Sequence, residues 1–173
     1  MDKARKIGIN KLQTSEEAEI CARMMSGSEP YITLRRDYES SLKMISDPLR
    51  EIYVARSGGE LVGFIIIVMR GALIGYIQSI CIAAEWRGKG VGSELMDFAE
   101  KRILLEAPNV FLMVSSFNNG AKRLYERRGY KVVGELKDFI VSGHSEVIMR
   151  KTIGPAADFV KRQLHITSAR LFI

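Results

Sequence analysis

Seven consecutive residues, Arg87-Gly88-Lys89-Gly90-Val91-Gly92-Ser93, carry the clearest chemical signal in the chain. They follow an apolar run, Tyr76 to Ile82, and precede an amphipathic one, Ser93 to Lys101, so a strand passes through a glycine-rich bend into a helix. Such a bend gathers backbone N–H groups at a helix N-terminus. Glycines let a ligand approach closely and the helix dipole favours negative charge, which makes a phosphate the natural guest. Arg87 and Lys89 add fixed positive charge. The bend lacks the GxxxxGK[ST] frame and is not GxGxxG, and no acidic residue ends a following strand to hold a ribose. A mononucleotide P-loop and a dinucleotide fold are therefore excluded. Tight packing alone also produces turns of this kind, so the bend by itself leaves phosphate binding open.

Other reactive side chains form no constellation of their own. Cys21 and Cys81 make no CxxC, and His144 and His165 stand far apart, so no metal site is expected. Cys81 would serve as a covalent nucleophile only beside a base in an electropositive pocket. The sequence places neither next to it.

The elements that position these residues are read from periodicity. Lys6 to Leu12 alternates as a strand. Thr14 with Glu17 is a capping-box signature, and Ala18, Cys21, Ala22 and Met25 share one face of the helix behind it, which Gly27 ends. A second helix is expected from Leu34 to Ser46, with Leu34, Tyr38, Leu42 and Ile45 as its buried stripe and Pro48 as its stop. Glu51 to Arg56 and Leu61 to Met69 form a hairpin across Ser57-Gly58-Gly59-Glu60. The second of these strands is apolar on both faces and belongs in the middle of a sheet. Leu73 to Ile82 is the strand before the bend. Val91, Leu95, Phe98, Ala99 and Arg102-Ile103 turn the next helix toward the sheet. Asn109 to Ser115 is a strand, Asn118 to Arg128 a helix ended by Gly129, and Tyr130 to Lys137 and Glu146 to Thr152 close the fold. This order predicts a mixed α/β sheet with helices on both faces.

Two segments together then identify a relationship. Arg87-x-x-Gly90-x-Gly92 after a strand, followed by Asn118 and Leu124-Tyr125-Glu126-Arg127-Arg128-Gly129-Tyr130, closely resembles the GNAT superfamily of N-acetyltransferases. The first matches that family's R/Q-x-x-G-x-G/A acetyl-CoA signature and the second its N…LYExxGF/Y segment, over Lys6 to Thr152. The resemblance implies a GNAT-like acyl-CoA N-acyltransferase fold over residues 1–153, with 154–173 as a C-terminal extension. It implies acetyl-CoA as co-substrate, with the amides of Gly88, Lys89, Gly90, Val91, Gly92 and Ser93 on its pyrophosphate. Pantetheine would then lie along Ile80, Cys81 and Ile82, taking the place of a neighbouring strand. A strand N–H there, that of Ile82 or a neighbour, would steady the oxyanion of the tetrahedral intermediate. Asn118 would contact the cofactor and cap its helix, unless Asn119 caps it instead.

In that setting Tyr125 is the candidate general acid. A phenol with a pKa near 10 is protonated at neutral pH and can donate to a thiolate whose conjugate acid lies near 8.5. The general base is less defined. His144 is the histidine inside the matched region; Glu85 and a water chain to bulk solvent are the other options. By analogy with the family, the early helices and the closing hairpin form the acceptor pocket. Glu29, Tyr31, Asp37 and Tyr38 are then the substrate candidates, although solvation of a helix surface accounts for the same residues. A non-catalytic acetyl-CoA-binding or nucleic-acid-associated module on the same fold is the alternative to an enzyme.

Composition bounds the rest. A chain of 173 residues suits one domain. The longest apolar run, Phe64 to Met69, is too short to cross a bilayer, and the charged N-terminus lacks a signal-peptide core. A cytoplasmic location and no membrane partner are expected. The net charge of +6 suits a polyanionic ligand but is not gathered into a stripe, so nucleic acid is not the expected partner. The tail beyond Pro155 mixes Phe159, Val160, Leu164, Leu171, Phe172 and Ile173 with basic residues. Docking on a second subunit to form a homodimer, folding back on its own domain and a loose extension all stay open.

Overall fold

The computed structural model describes residues 6–160. Its strands are β1 (Ile7–Lys11), β2 (Glu51–Ser57), β3 (Glu60–Val68), β4 (Tyr76–Ile82), β5 (Asn109–Ser115), β6 (Lys131–Lys137) and β7 (Ser145–Thr152). Its α-helices are α1 (Ser15–Ser26), α2 (Tyr38–Ile45), α3 (Val91–Leu104) and α4 (Asn119–Arg127), with a short 3-10 turn at Ala84–Trp86. The strands form one sheet in the order β1-β2-β3-β4-β5-β7-β6. Every neighbouring pair is antiparallel except β4 with β5. This is the mixed α/β sheet expected from the sequence, with helices on both faces.

Local signals account for most boundaries. Thr14 Oγ1 accepts the Glu17 N–H at 3.2 Å, and the Glu17 carboxylate reaches back to the Gln13 N–H at 2.7 Å. The β2–β3 turn sets Gly58 and Gly59 at φ 57° and 91°, the pair of left-handed conformations that a two-residue hairpin demands. β3 lies inside the sheet, and Phe64, Ile65, Ile66 and Ile67 are fully buried.

Three expectations need correction. The second helix begins at Tyr38 rather than Leu34, because residues 28–37 fold into successive turns. Leu34 N–H donates to Pro30 O at 3.0 Å, Arg36 N–H to Tyr31 O at 2.9 Å, and Arg35 takes a left-handed φ of 54°. Its buried stripe is Ser41, Met44 and Ile45, with Tyr38 and Leu42 half-buried beside them. The fourth strand begins at Tyr76, leaving Leu73 and Ile74 exposed in a turn. On α3 the buried face includes Met96 and Glu100, whereas Phe98 is half-buried with its ring 4.6 Å from that of Tyr53.

Two apolar layers sandwich the sheet. α1 and α2 cover one face through Cys21, Ala22, Met25 and Ile45 against Val54, Phe64 and Ile66. α3 covers the other through Val91, Leu95, Met96, Ala99 and Ile103 against Ile65, Ile67, Val110 and Leu112. An ion cluster around the buried Glu100 locks α3 to the end of α4 and to β7. Glu100 accepts from Arg128 Nε at 3.0 Å and from Lys151 Nζ at 2.6 Å, and Arg128 also reaches Asp97 at 2.5 Å.

The sheet parts at its centre. β4 and β5 match only at Tyr76–Phe111 and Ile77–Leu112. Beyond that point β5 stays with β7, through Ser115, and β4 stays with β3, through Ile82. The break falls at a bulge on β4: Ser79 lies opposite Ile66 and Ile77 opposite Ile67, so Gln78 is unmatched. An extra residue bends its strand and increases the local twist, which carries β4 away from its parallel neighbour. The resulting wedge is the site described below. Past β7, Phe159 N–H donates to Pro155 O at 3.2 Å. Residues 161–173, most of the proposed C-terminal extension, lie outside the described residues.

Candidate active site

A cleft of about 660 Å³ occupies the wedge. One wall is the inner edge of β4. Ala83 N–H bonds to Val62 O at 3.0 Å, so by the alternation of an antiparallel ladder the N–H and C=O groups of Ile80 and Ile82 turn the other way, toward the gap. Two side chains confirm that direction. Tyr31 OH donates to Ile80 O at 2.9 Å, and Arg87 Nε donates to Ile82 O at 3.2 Å. The N–H groups of Ile80 and Ile82 thus face the cleft with no strand opposite them.

At the end of β4 stands the glycine-rich bend. Gly88 and Gly90 adopt φ of 72° and 88°, conformations that side-chain-bearing residues disfavour, and Gly90 is the N-cap of α3. Ser93 N–H donates to Gly90 O at 2.9 Å, so its amide belongs to the helix rather than to the anion-binding set. The amides of Gly88, Lys89, Gly90, Val91 and Gly92 have no such acceptor among the described residues, and a Cβ on Gly88 or Gly90 would meet nothing within 4 Å. Unpaired N–H groups beside Arg87, at the positive end of a 14-residue helix, fit a diphosphate. Lys89 Nζ lies 5.6 Å from the Trp86 ring centre.

The opposite wall comes from β5, α4 and β7. Asn118 caps α4, its Oδ1 accepting the Ala121 N–H at 3.2 Å, which settles the choice between Asn118 and Asn119. Asn118, Leu124 and Tyr125 line the cleft. Tyr125 is buried, its ring 5.9 Å from that of Tyr130, and burial pushes its phenol up to about 12.

The strongest feature of this wall is a carboxylate that the sequence reading passed over. Glu146 on β7 is 4% exposed and lines the cleft. It sits directly across the ladder from Ser115, whose hydroxyl donates to Glu146 Oε1 at 2.6 Å. Desolvation raises its carboxyl above the usual range; the Ser115 hydrogen bond and the charge of His144 oppose the rise. Among the described residues no cation lies within ion-pair distance of it. The available signal was a lone Glu at the head of an apolar strand opposite a polar Ser, legible only once the register is known.

The proposed acceptor residues divide. Glu29 and Tyr31 line the cleft, on the loop between α1 and α2, and burial pushes the Tyr31 phenol well up. Asp37 and Tyr38 are not among the lining residues. Asp37 is exposed and caps α2, its Oδ1 accepting the Ser40 N–H at 2.9 Å, and Tyr38 packs on the α1–α2 core. His144 also stays outside the cleft wall, its ring 4.8 Å from Phe117. Glu85 is exposed next to the bend. Cys81 is buried with Sγ 3.6 Å from Met24 O, and desolvation raises its thiol, the wrong direction for a nucleophile. Arg36, Tyr76 and Phe139, none singled out in the sequence as site residues, are also among the lining residues. Among the described residues no cluster of three or more His, Cys, Asp or Glu side chains could hold a metal, and no helix is long and apolar enough to cross a membrane.

Known proteins share the sequence pattern and the fold. Residues 13–130 match the acetyltransferase (GNAT) family. An uncharacterised N-acetyltransferase of Chlorobaculum tepidum is 29% identical over 102 residues, 59% of this chain and 61% of that protein. An N-alpha-acetyltransferase of Sulfurisphaera tokodaii is 27% identical over 110 residues, 56% of this chain and 66% of its own length. The chain thus spans a little under two thirds of each of these relatives. Among solved structures, Ard1 from Thermoplasma volcanium superposes with a TM-score of 0.72 at 20% identity, over 86% of this chain and 99% of that one. An aminoglycoside 6'-N-acetyltransferase complexed with coenzyme A gives 0.69 at 18% identity, over 86% and 98%. These superpositions establish the fold. With the family match over most of the sequence and the parted sheet beside its glycine-rich bend, the chain belongs to the acetyltransferase (GNAT) family.

Proposed function

We propose that the protein transfers an acetyl group from acetyl-CoA to a primary amine by direct attack. One observation carries this reading: a single cleft runs from Arg87 and Gly92, at the start of α3, along the open edge of β4 to a buried carboxylate without a counter-cation. Acetyl-CoA supplies an activated acyl group as a thioester. The residues that would hold it are Gly88 to Gly92 and Arg87 at the diphosphate, the β4 edge at Ile80 to Ile82 along the pantetheine arm, and Asn118 facing it.

Each remaining task falls to a residue of this chain. Glu146 takes the proton from the incoming ammonium, and the desolvation that raises its pKa makes it a stronger base than an exposed carboxylate. The N–H of Ile82 or Ile80 donates to the carbonyl oxygen as negative charge builds there. The new C–N bond forms, the C–S bond breaks, and Tyr125 O–H delivers its proton to the departing sulfur; the second proton, shed by the acylated nitrogen, restores the phenol, so the one net proton is held by Glu146 and passes to solvent. A phenol at about 12 is a weak acid, but the desolvation that raises it also raises a thiolate in the same cleft, so the two stay closer than in water. We assign His144 to tuning: it acts on Glu146 through charge, from outside the cleft. Attack through an acetyl-cysteine at Cys81 has no support in the geometry.

The test combines calorimetry with acetyl-CoA and thiol release over a panel of amines. Binding, followed by release above the hydrolysis background for at least one amine, is expected. Binding without release for any amine would make the protein a coenzyme-binding module, and no binding would end the reading.

A further inference from the structure

We propose that the acceptor carries a carboxylate a few bonds from its amine, and that Arg36 binds it. This inference rests on the acetyl-transfer reading of the same cleft and narrows the substrate to amino-carboxylates.

Arg36 comes from the loop between α1 and α2 and lines the cleft, as Arg87 does at the diphosphate bend. Its backbone is fixed by the N–H bond to Tyr31 O. Its side chain is not satisfied. Nε is buried with no acceptor, and the Nη1 contact is Met44 Sδ at 3.8 Å, a weak acceptor. Arg50, Arg56, Arg102 and Arg128 all hold carboxylates, whereas Arg36 makes no ion pair among the described residues. Leaving a buried guanidinium N–H unpaired costs stability. A planar fork without a counter-charge, facing a cavity, matches a ligand carboxylate bound through two parallel N–H···O bonds.

The charges in the cleft give the rest of the ligand. Burial pushes the Tyr76 phenol up to about 12; Glu146 pushes the same way and Arg36 opposes it. Arg36, Tyr76 and Glu146 all line the one cleft, so an anionic base and a cationic fork share a single cavity, and the Tyr76 hydroxyl senses both. An ammonium directed at Glu146 and a carboxylate directed at Arg36 describe a zwitterion. Glu29 also lines the cleft, but it is exposed and its Oε2 is turned to the Thr33 N–H at 3.3 Å. A peptide N-terminus is a poorer match, because its first α-carboxyl is tied up in an amide.

The experiment compares free amino acids with their carboxamides by thiol release, in the wild type, Arg36→Gln and Arg36→Lys, each checked for folding by its melting curve. The wild type should favour the acid over the amide in kcat/KM by about 10- to 100-fold, the worth of a charge-assisted pair. Arg36→Gln should bring that ratio near one through KM for the acid, and Arg36→Lys should restore part of it. Equal use of acid and amide, or a preference that survives Arg36→Gln, overturns the inference while leaving acetyl transfer intact. If no amine is turned over, acetyl transfer fails and thermal shifts decide the anion site. A shift by amino acids in the wild type that is absent in Arg36→Gln supports it, and no Arg36-dependent shift overturns it.

Discussion

Glu100 and Glu146 are both buried carboxylates, 7% and 4% exposed, and they live in opposite circumstances. Glu100 is held between Arg128 and Lys151, each oxygen with its own cation, in a cluster that ties α3 to α4 and β7. Glu146 has one hydroxyl, that of Ser115, and no ion pair among the described residues. The contrast separates cohesion from chemistry. A carboxylate whose charge is compensated by its own fold has no reason to take a proton from a ligand. One that is desolvated and uncompensated is ready to accept one, and here it also faces a cavity.

The largest test of that contrast is Glu146→Gln. It should lower kcat by about 10²- to 10⁴-fold, the usual worth of a general base, while acetyl-CoA affinity is kept. The protein should be no less stable, because Gln removes a charge that burial opposes. For a carboxyl raised in the folded state the stabilising proton is lost as pH rises through that raised pKa, so above it the ionised group is a burden. A destabilised, fully active variant would show that Glu146 belongs with Glu100.

Next in size is Tyr125→Phe, expected to cut turnover by about 10²-fold with little change in coenzyme affinity; unchanged turnover removes its assignment as acid. Glu100→Gln should do the reverse of Glu146→Gln. Breaking a buried pair costs about 3–5 kcal/mol, but Arg128 and Lys151 keep 15% and 31% exposure, so a loss of about 1–3 kcal/mol by denaturant unfolding is expected, at near-normal kcat. The smallest effect belongs to His144→Ala. The His144 charge opposes the rise of the Glu146 carboxyl, so its removal should move the acidic limb of the pH–rate profile to higher pH. Loss of that limb altogether would instead make His144 the base.

What the sequence disclosed follows the range of the interactions involved. The bend at Gly88–Gly92 and the Gly58-Gly59 turn are set by neighbours within a few residues and were legible, and the cap of α4 was narrowed to Asn118 or Asn119. The same short range explains one misreading. Asp37 reads as an acceptor candidate, yet it stands three residues before Ser40 as an N-cap, and this also moves the start of α2 from Leu34 to Tyr38. Glu146 and Arg36 were missed for the opposite reason. The first depends on Ser115, 31 residues away across a strand register, and the second on the path of a loop of consecutive turns. No periodicity reports either. His144, two residues from Glu146, shows how near a one-dimensional reading comes without the register.

The gap between β4 and β5 has an energetic meaning for the free protein. A sheet gains cohesion from every rung of its ladder, and here the central seam has rungs at only two positions. The amides of Ile80 and Ile82 are left to solvent, and with them part of the interstrand bonding that a closed sheet would have. A slender chain carrying its own amides would supply those rungs from outside. The cohesion this fold forgoes at its middle is thereby available as affinity, and the empty protein should be looser across that seam than the filled one.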